Sequence, residues 1–229
     1  MKQLLAELRS LSDPAKIATY KNFHKTHDGG YAAGEEFLGL TVPQLRVLAE
    51  KYHELTLVHV KQLLGSHVHE EKYVAALILV HKYQQGNKKA VVDFCLTHAR
   101  KLSGWDLVDS VAPSIFGDYY LDKDRSLFTR LARSHNLWER RIAIVSTYGF
   151  IRKGSFDTTL EIADLLIHDT HDLIHKAVGW MLREVGKRDA LLLKNYLKSR
   201  YKTMPRTMLR YAIERFPETE RKKYLRGTI

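Results

Sequence analysis

The sequence holds a single cysteine, Cys95, in 229 residues. One thiol excludes an internal disulfide framework, and it excludes zinc or iron–sulfur sites built from several cysteines. It also makes a reducing cytosol the default compartment. Long apolar runs are missing as well. Runs such as Val74 to Val80 fall far short of the ~20 residues a membrane span needs. Glu7 interrupts the only apolar stretch near the N-terminus, so no signal peptide and no membrane partner are expected. Strand signatures are absent too. No segment alternates apolar and polar residues, and Asp28-Gly29-Gly30 lies in an irregular stretch, 28–40, that reads as a loop. No glycine-rich phosphate loop is present, and no cofactor is expected.

What is abundant is positive charge. Lys and Arg number 37 against 26 Asp and Glu, a formal net charge of +11. The surplus is uneven: residues 171–229 hold nine of the excess positive charges, and residues 1–170 hold two. A basic balance of this size points to a polyanionic partner, although a solvated basic surface would carry the same count. Apolar residues at 45% and charged residues at 28% are ordinary globular proportions and exclude a disordered chain. The length fits one domain or two small ones, with a core large enough to need no staple, and a single domain, 1–229, is expected.

Helical periodicity runs almost throughout. Leu4, Leu5, Leu8 and Leu11 mark a first helix, and Leu45, Leu48 and Ala49 mark another. Val74, Leu77, Ile78 and Tyr83 mark a longer one. Thr41 with Gln44, Ser103 with Asp106 and Asn136 with Glu139 have the spacing of capping boxes. Pro14, Pro43 and Pro205 suit first-turn positions, and Gly86, Gly154 and Gly186 suit helix ends. About a dozen helices of roughly 10–17 residues are expected, giving an all-α fold.

A degenerate repeat orders these helices. Ala143 and Ala177 are 34 apart, Ala75 precedes Ala143 by twice that distance, and Ala212 follows Ala177 by 35. A small residue at such a period lets paired helices pack closely. The pattern reads as an α-solenoid of HEAT-like helix pairs with a concave face. Counting 34 on from Ala75 lands on Asp109 instead of a small apolar residue. Asp109 shares a helix face with Trp105, four residues earlier. Arg141 stands two before Ala143. Trp180 shares a face with Lys176 and Arg183, and Arg210 stands two before Ala212. Cations interleaved with an aromatic ring suit phosphate and sugar contact.

These segments resemble the AlkD-like family of DNA alkylation repair glycosylases. The resemblance rests on Trp105-Asp106-Leu107-Val108-Asp109, on Trp138-Glu139-Arg140-Arg141-Ile142-Ala143 and on Lys176 to Glu184. Met204-Pro205-Arg206 through Glu214 adds to it. It implies helix pairs forming a C-shaped superhelix with a basic groove for double-stranded DNA. It implies hydrolysis of the N-glycosidic bond of alkylated purines, above all cationic N3- and N7-alkyl adducts. Position by position, it places the catalytic carboxylate at Asp109, sugar-facing tryptophans at Trp105 and Trp180, and a phosphate-holding arginine at Arg141. Lys176, Arg183 and Arg210 are expected to add DNA contacts. Gly104 departs from the pattern, since relatives can carry an aromatic residue there. The family implies that the backbone is gripped while the modified base need not be enclosed.

The residue types suit that chemistry. A purine with a fixed positive charge leaves without being protonated. Positive charge then builds on the deoxyribose, where a fixed carboxylate stabilises it and can orient or deprotonate water. Ring faces attract the same developing cation. The expected protein is a monomeric, cofactor-free enzyme of the cytoplasm, associated with the nucleoid. Two rival classes fit the same helices: a DNA-structure-binding module without catalysis and a HEAT-type protein–protein scaffold. His168, Asp169, His171, Asp172 and His175 also carry metal-capable groups, but helix-capping residues of a turn account for the same spacing, and no metal is expected. His67 and His69 read as a similar turn, and Cys95 reads as core.

Overall fold

The computed structural model describes residues 1–229. It is all helical, and its only β-type pairing is an isolated bridge between Glu36 and Val68. In chain order the α-helices are α1 (Lys2–Ser10), α2 (Pro14–His24), α3 (Val42–Lys51), α4 (Leu57–Leu64), α5 (His69–Gln84), α6 (Lys88–Thr97) and α7 (Trp105–Val111). They continue as α8 (Gly117–Tyr119), α9 (Ser126–Ala132), α10 (Leu137–Ile151), α11 (Asp157–Leu166), α12 (Asp172–Gly186), α13 (Ala190–Lys198), α14 (Arg206–Ala212) and α15 (Glu218–Arg226). A 3-10 turn covers Ala99–Lys101, and a π-helical turn covers Ala112–Phe116. No helix is long and apolar enough to cross a membrane. The chain divides into two compact units, Met1–Val111 and Ala112–Ile229.

In the first unit α5 is the hub, and α1, α3, α4, α6 and α7 pack on it. Val74, Ala75, Ala76, Ile78 and Leu79 are fully buried there. Each large aliphatic side chain so removed from water contributes about 1.5–3 kcal/mol. The first turn of α5 is buried as well, although it reads His69-Glu70-Glu71-Lys72. Charges in such a place need partners. Glu70 accepts from the backbone N–H groups of Leu38 at 3.0 Å and Gly39 at 2.8 Å, which pins the irregular stretch. Glu71 accepts from Arg9 Nη2 at 3.2 Å and Ser66 Oγ at 2.7 Å.

In the second unit α9 and α10, α11 and α12, and α13 and α14 follow one another in the chain. α10 packs on α9, α11 and α12, while α12 packs on α11, α13 and α14. Ala143, Ala177 and Ala212 are buried on α10, α12 and α14, as Ala75 is on α5. Gly179 shows why small residues recur. A β-carbon there would lie 2.5 Å from the Met208 carbonyl oxygen and 2.5 Å from Tyr211 Cβ, so the α12–α14 contact admits no side chain. The π turn coincides with Pro113, whose ring denies the helix a regular i→i−4 bond.

Most start signals act as their spacing predicts. Asp13 caps α2, accepting from Ala15 N at 3.1 Å, and Thr41 and Gln44 form a capping box. Asn136 caps α10, but Glu139 turns to Ser134 instead of closing a box. Ser103 and Asp106 form no box, because the Asp106 carboxylate is taken up by His69 Nε2 at 2.8 Å and by Leu107 N. Pro205 stands at the N-cap of α14 and not within its first turn. Gly86 and Gly154 adopt the left-handed conformation of helix ends. Gly186 does not; it is the last residue of α12, and Leu193 Cδ2 lies 2.3 Å from where its β-carbon would stand. Helices are also shorter than their periodicity predicts, several having only seven to nine residues.

Candidate functional site

Trp105 opens α7, and Asp109 follows one turn later on the same face. Both line a cavity of about 340 Å³ in the first unit. The opposite walls come from the end of α2, the irregular stretch, the start of α3 and the first turns of α5. They include Tyr20, Phe23, His24, Phe37 and Tyr73. His24 stacks on Trp105 with ring centroids 5.5 Å apart and planes 20° apart, and Phe23 meets the Trp105 ring edge-on at 5.5 Å. Phe37 stacks on His69 at 4.7 Å and 17°. The Tyr73 hydroxyl lies 3.2 Å from Ser110 Oγ, next to Asp109.

Behind the aromatic walls lies a chain of buried charges. His69 Nδ1 is 2.7 Å from Glu35 Oε2, and its Nε2 is 2.8 Å from Asp106 Oδ2. Lys72 pairs with the other oxygen of Glu35 and donates to Ser103 Oγ at 3.2 Å. Asp106 also accepts from its neighbour's backbone, Leu107 N, at 3.0 Å. Burial by itself would lower the His69 imidazole. The hydrogen bonds to Asp106 and Glu35 outweigh it and raise the group to about 9, so the ring is an imidazolium at neutral pH. Burial likewise works to raise Asp106 and Glu35, but the His69 hydrogen bond to each, joined by Lys72 at Glu35, holds both below the usual carboxylate range. His24 goes the other way. Burial, then the positive charge of His69, pushes it down to about 4, so it is neutral.

This network explains Gly104. A β-carbon at that position would lie 2.9 Å from Asp106 Oδ1 and 3.4 Å from His69 Cε1. A side chain there, aromatic or otherwise, would press on the ion pair that anchors the first turn of α7. His24, His69 and Asp106 also bring three ligand-type atoms within 4.8 Å of one another. A metal ligand must offer a free lone pair, whereas both His69 nitrogens already face carboxylates and hold their protons. The group is an ion network.

The other expected site residues lie in the second unit. Trp180 is half-buried on α12, 5.8 Å from the Tyr148 ring. Lys176, one turn earlier, is half-buried and pairs with Asp172 at 2.8 Å. Arg183 pairs with Glu214, and its Nε is buried without a hydrogen-bond partner. Arg210 is exposed on α14. Arg141 is placed differently from a surface cation: it is 4% exposed, and its Nη1 donates to the Leu173 carbonyl at 2.6 Å. The neighbouring Arg140 pairs with Asp169 at 2.6 Å. Asp169 also accepts from His171 N, and His171 caps α12, so this histidine-rich segment is a capping turn.

A family model described as DNA alkylation repair enzyme matches residues 4–216. The chain belongs to that family. The fold agrees. A predicted DNA alkylation repair enzyme from Enterococcus faecalis superposes with a TM-score of 0.71 at 19% identity, covering 90% of this chain and 97% of its own. AlkD2 from Streptococcus mutans superposes with a TM-score of 0.56 at 17% identity, covering 86% of this chain and 99% of its own. No curated protein matches the sequence. Within the family assignment, Trp105 and Asp109 are residues the sequence singles out. His24, His69, Glu35, Phe23 and Phe37 are not. A usable signal existed for His69. Glu70-Glu71-Lys72 leads straight into the apolar run 74–80, and charges at the mouth of a fully buried helix must be paired.

Proposed function

We propose that the chain is a DNA glycosylase that hydrolyses the N-glycosidic bond of alkylated purines, chiefly cationic N3- and N7-alkyl adducts, in double-stranded DNA. The observation that carries this reading is the placing of Asp109 and Trp105 on one helix face at an aromatic cavity. The C1′–N bond breaks with its electron pair going to the purine, which leaves neutral. Positive charge grows on the sugar. Asp109 stabilises that charge and orients the water that adds to C1′ and gives up a proton. Trp105 presents a ring face to the same cation. Trp180 packs against the sugar–phosphate backbone, and Lys176, Arg183 and Arg210 meet phosphates. Arg141 lies beneath that surface, 4% exposed and bonded to the Leu173 carbonyl, and serves DNA contact by holding α12, the helix of Trp180 and Lys176, in place. The protein works as a monomer and a single functional domain. The recurrence of buried Ala75, Ala143, Ala177 and Ala212 supports HEAT-like pairing, whose second helices would line a basic concave groove.

The test is release of free methylated base from N-methylated duplex DNA. Asp109→Asn keeps the shape and removes the charge, so single-turnover excision should fall about 10²–10³-fold with DNA binding retained. Undiminished excision in that variant removes Asp109 from the chemistry. DNA binding by the unaltered protein without any base release would make it a DNA-structure-binding module.

A further inference from the structure

Every cation expected to meet DNA, and Trp180 with them, lies in the second unit, whereas Asp109 and Trp105 lie in the first. Attack at C1′ needs the reacting atoms within about 3–3.5 Å, so the unit that carries Asp109 needs a hold on the duplex of its own. Two unassigned residues beside the cavity have the chemistry for it. Phe23 is 64% exposed, and of the eight phenylalanines it alone faces solvent. It meets the Trp105 ring edge-on at 5.5 Å, one ring away from the indole that faces the sugar in the glycosylase reading. Arg46 stands one turn after Val42 on the same face of α3, and Val42 lines the cavity at 41% exposure. Arg46 is exposed and pairs with no carboxylate. Its charge nevertheless reaches the site. Burial raises the Tyr73 phenol most, Asp106 and Asp109 raise it further, and Arg46 works against them. Arg46 and Asp109 thus lie within electrostatic reach of one hydroxyl.

We propose that Phe23 and Arg46 are a DNA contact of the first unit: Arg46 holds a backbone phosphate, and Phe23 packs on the deoxyribose next to the one that Trp105 faces. The inference deepens the glycosylase reading and rests on it for the partner. A ring set beside a cation is the pairing that backbone recognition uses. The planar fork of an arginine gives a phosphate two parallel hydrogen bonds, and a fork with no acid partner gives up no ion pair to make them. Phe23 carries no polar group, so it reads no base edge and adds affinity without sequence preference. Each deoxyribose is joined to a phosphate on either side. Contact with a sugar and a phosphate therefore fixes the strand along its length and presents C1′ to Asp109, with no hold on the base.

Affinity of the full chain for an undamaged duplex is measured by fluorescence anisotropy as salt is raised, for the wild type, Arg46→Ala, Phe23→Ala and Phe23→Tyr. Arg46→Ala should bind several-fold more weakly and lower the log–log salt slope by about one. Phe23→Ala should bind about fivefold more weakly or worse with the slope unchanged, since a packed ring releases no counterion. Phe23→Tyr should restore the affinity. Both side chains are exposed, so every variant should keep the wild-type melting temperature. Wild-type affinity and slope in either alanine variant overturns the assignment of that residue, and in both overturns the contact. An affinity loss that follows a fallen melting temperature, unrepaired by tyrosine at 23, also overturns the Phe23 assignment. Base release from methylated duplex by the wild type is followed in parallel. Release with both variants binding normally defeats this contact alone, whereas duplex binding that depends on both residues, without any release, defeats the glycosylase reading and leaves the contact standing.

Discussion

Replacing His69 by leucine isolates the buried charge chain under the cavity. The wild-type ring, 4% exposed, stands between Glu35 and Asp106 at 2.7 and 2.8 Å. Its pKa rises from 6.5 to about 9 on folding. At about 1.4 kcal/mol for each pH unit, the bound proton contributes on the order of 3 kcal/mol. A group whose folded pKa is raised gives that stability in full below the unfolded value and loses it as pH climbs towards 9. The acid side has the opposite sign. Asp106 and Glu35 are depressed, so their contribution disappears as pH falls through their folded values. His24, held neutral down to about 4, costs stability between pH 6.5 and 4, because the unfolded chain takes up the proton first. Wild-type stability should therefore peak near pH 6–7. In His69→Leu, Glu35 keeps Lys72 while Asp106 keeps only a backbone donor. Breaking a buried pair in this way costs about 3–5 kcal/mol. Urea unfolding of both proteins from pH 5 to 9.5 tests the reasoning. The gap should be about 3 kcal/mol or more near pH 6.5. It should narrow towards pH 9.5, where the wild type has lost its proton, and towards acid, where Asp106 in the variant takes one up. A gap under about 1 kcal/mol at pH 6.5, or one unchanged at pH 9.5, would refute the network's role.

Arg141→Ala should lower unfolding stability by about 1.5–3 kcal/mol, since a charged donor to the Leu173 carbonyl is lost from a buried site; an unchanged melting temperature would mark Arg141 as a surface cation after all. Gly179→Ala should cost about 1–3 kcal/mol by forcing α12 away from α14, and a neutral result in thermal melts would contradict the close packing. Affinity for undamaged duplex should fall steeply with salt. Arg210→Ala should reduce the log–log slope by about one without shifting the melting temperature, and a flat salt dependence would argue against phosphate contact.

The sequence made the helical class readable because apolar spacing of 3.6 is a local signal, and all four alanines of the repeat, Ala75, Ala143, Ala177 and Ala212, are buried. Trp105 and Asp109 were legible for a similar reason: they sit one turn apart on one short helix. The rest of the cavity was not, because it is assembled from residues 20–45 and 69–73, brought to α7 only by tertiary packing. Stretch 28–40 has no periodicity to read, and what fixes it comes from far along the chain: two backbone bonds to Glu70, the Glu36 bridge to Val68, and the pairing of Glu35 with His69 and Lys72. Ser103 and Asp106 had the spacing of a capping box, yet a buried imidazolium competes better for the carboxylate than a chain end that water can also serve. Arg141 shows the same limit, since sequence spacing gives the helix face but not how deeply a neighbouring helix covers it.

Cys95 is 1% exposed on α6, and burial raises its thiol far above the ordinary range. Electrophiles that methylate purines also methylate thiolates, the reactive form of cysteine. A protein of an alkylation repair family meets its substrate where such reagents have been at work. Its one sulfhydryl is shielded and kept protonated, so the reagents that damage DNA find no reactive thiol on this chain. For the same reason a cysteine introduced on the surface would be the only site open to a maleimide dye, with no need to remove the native residue first.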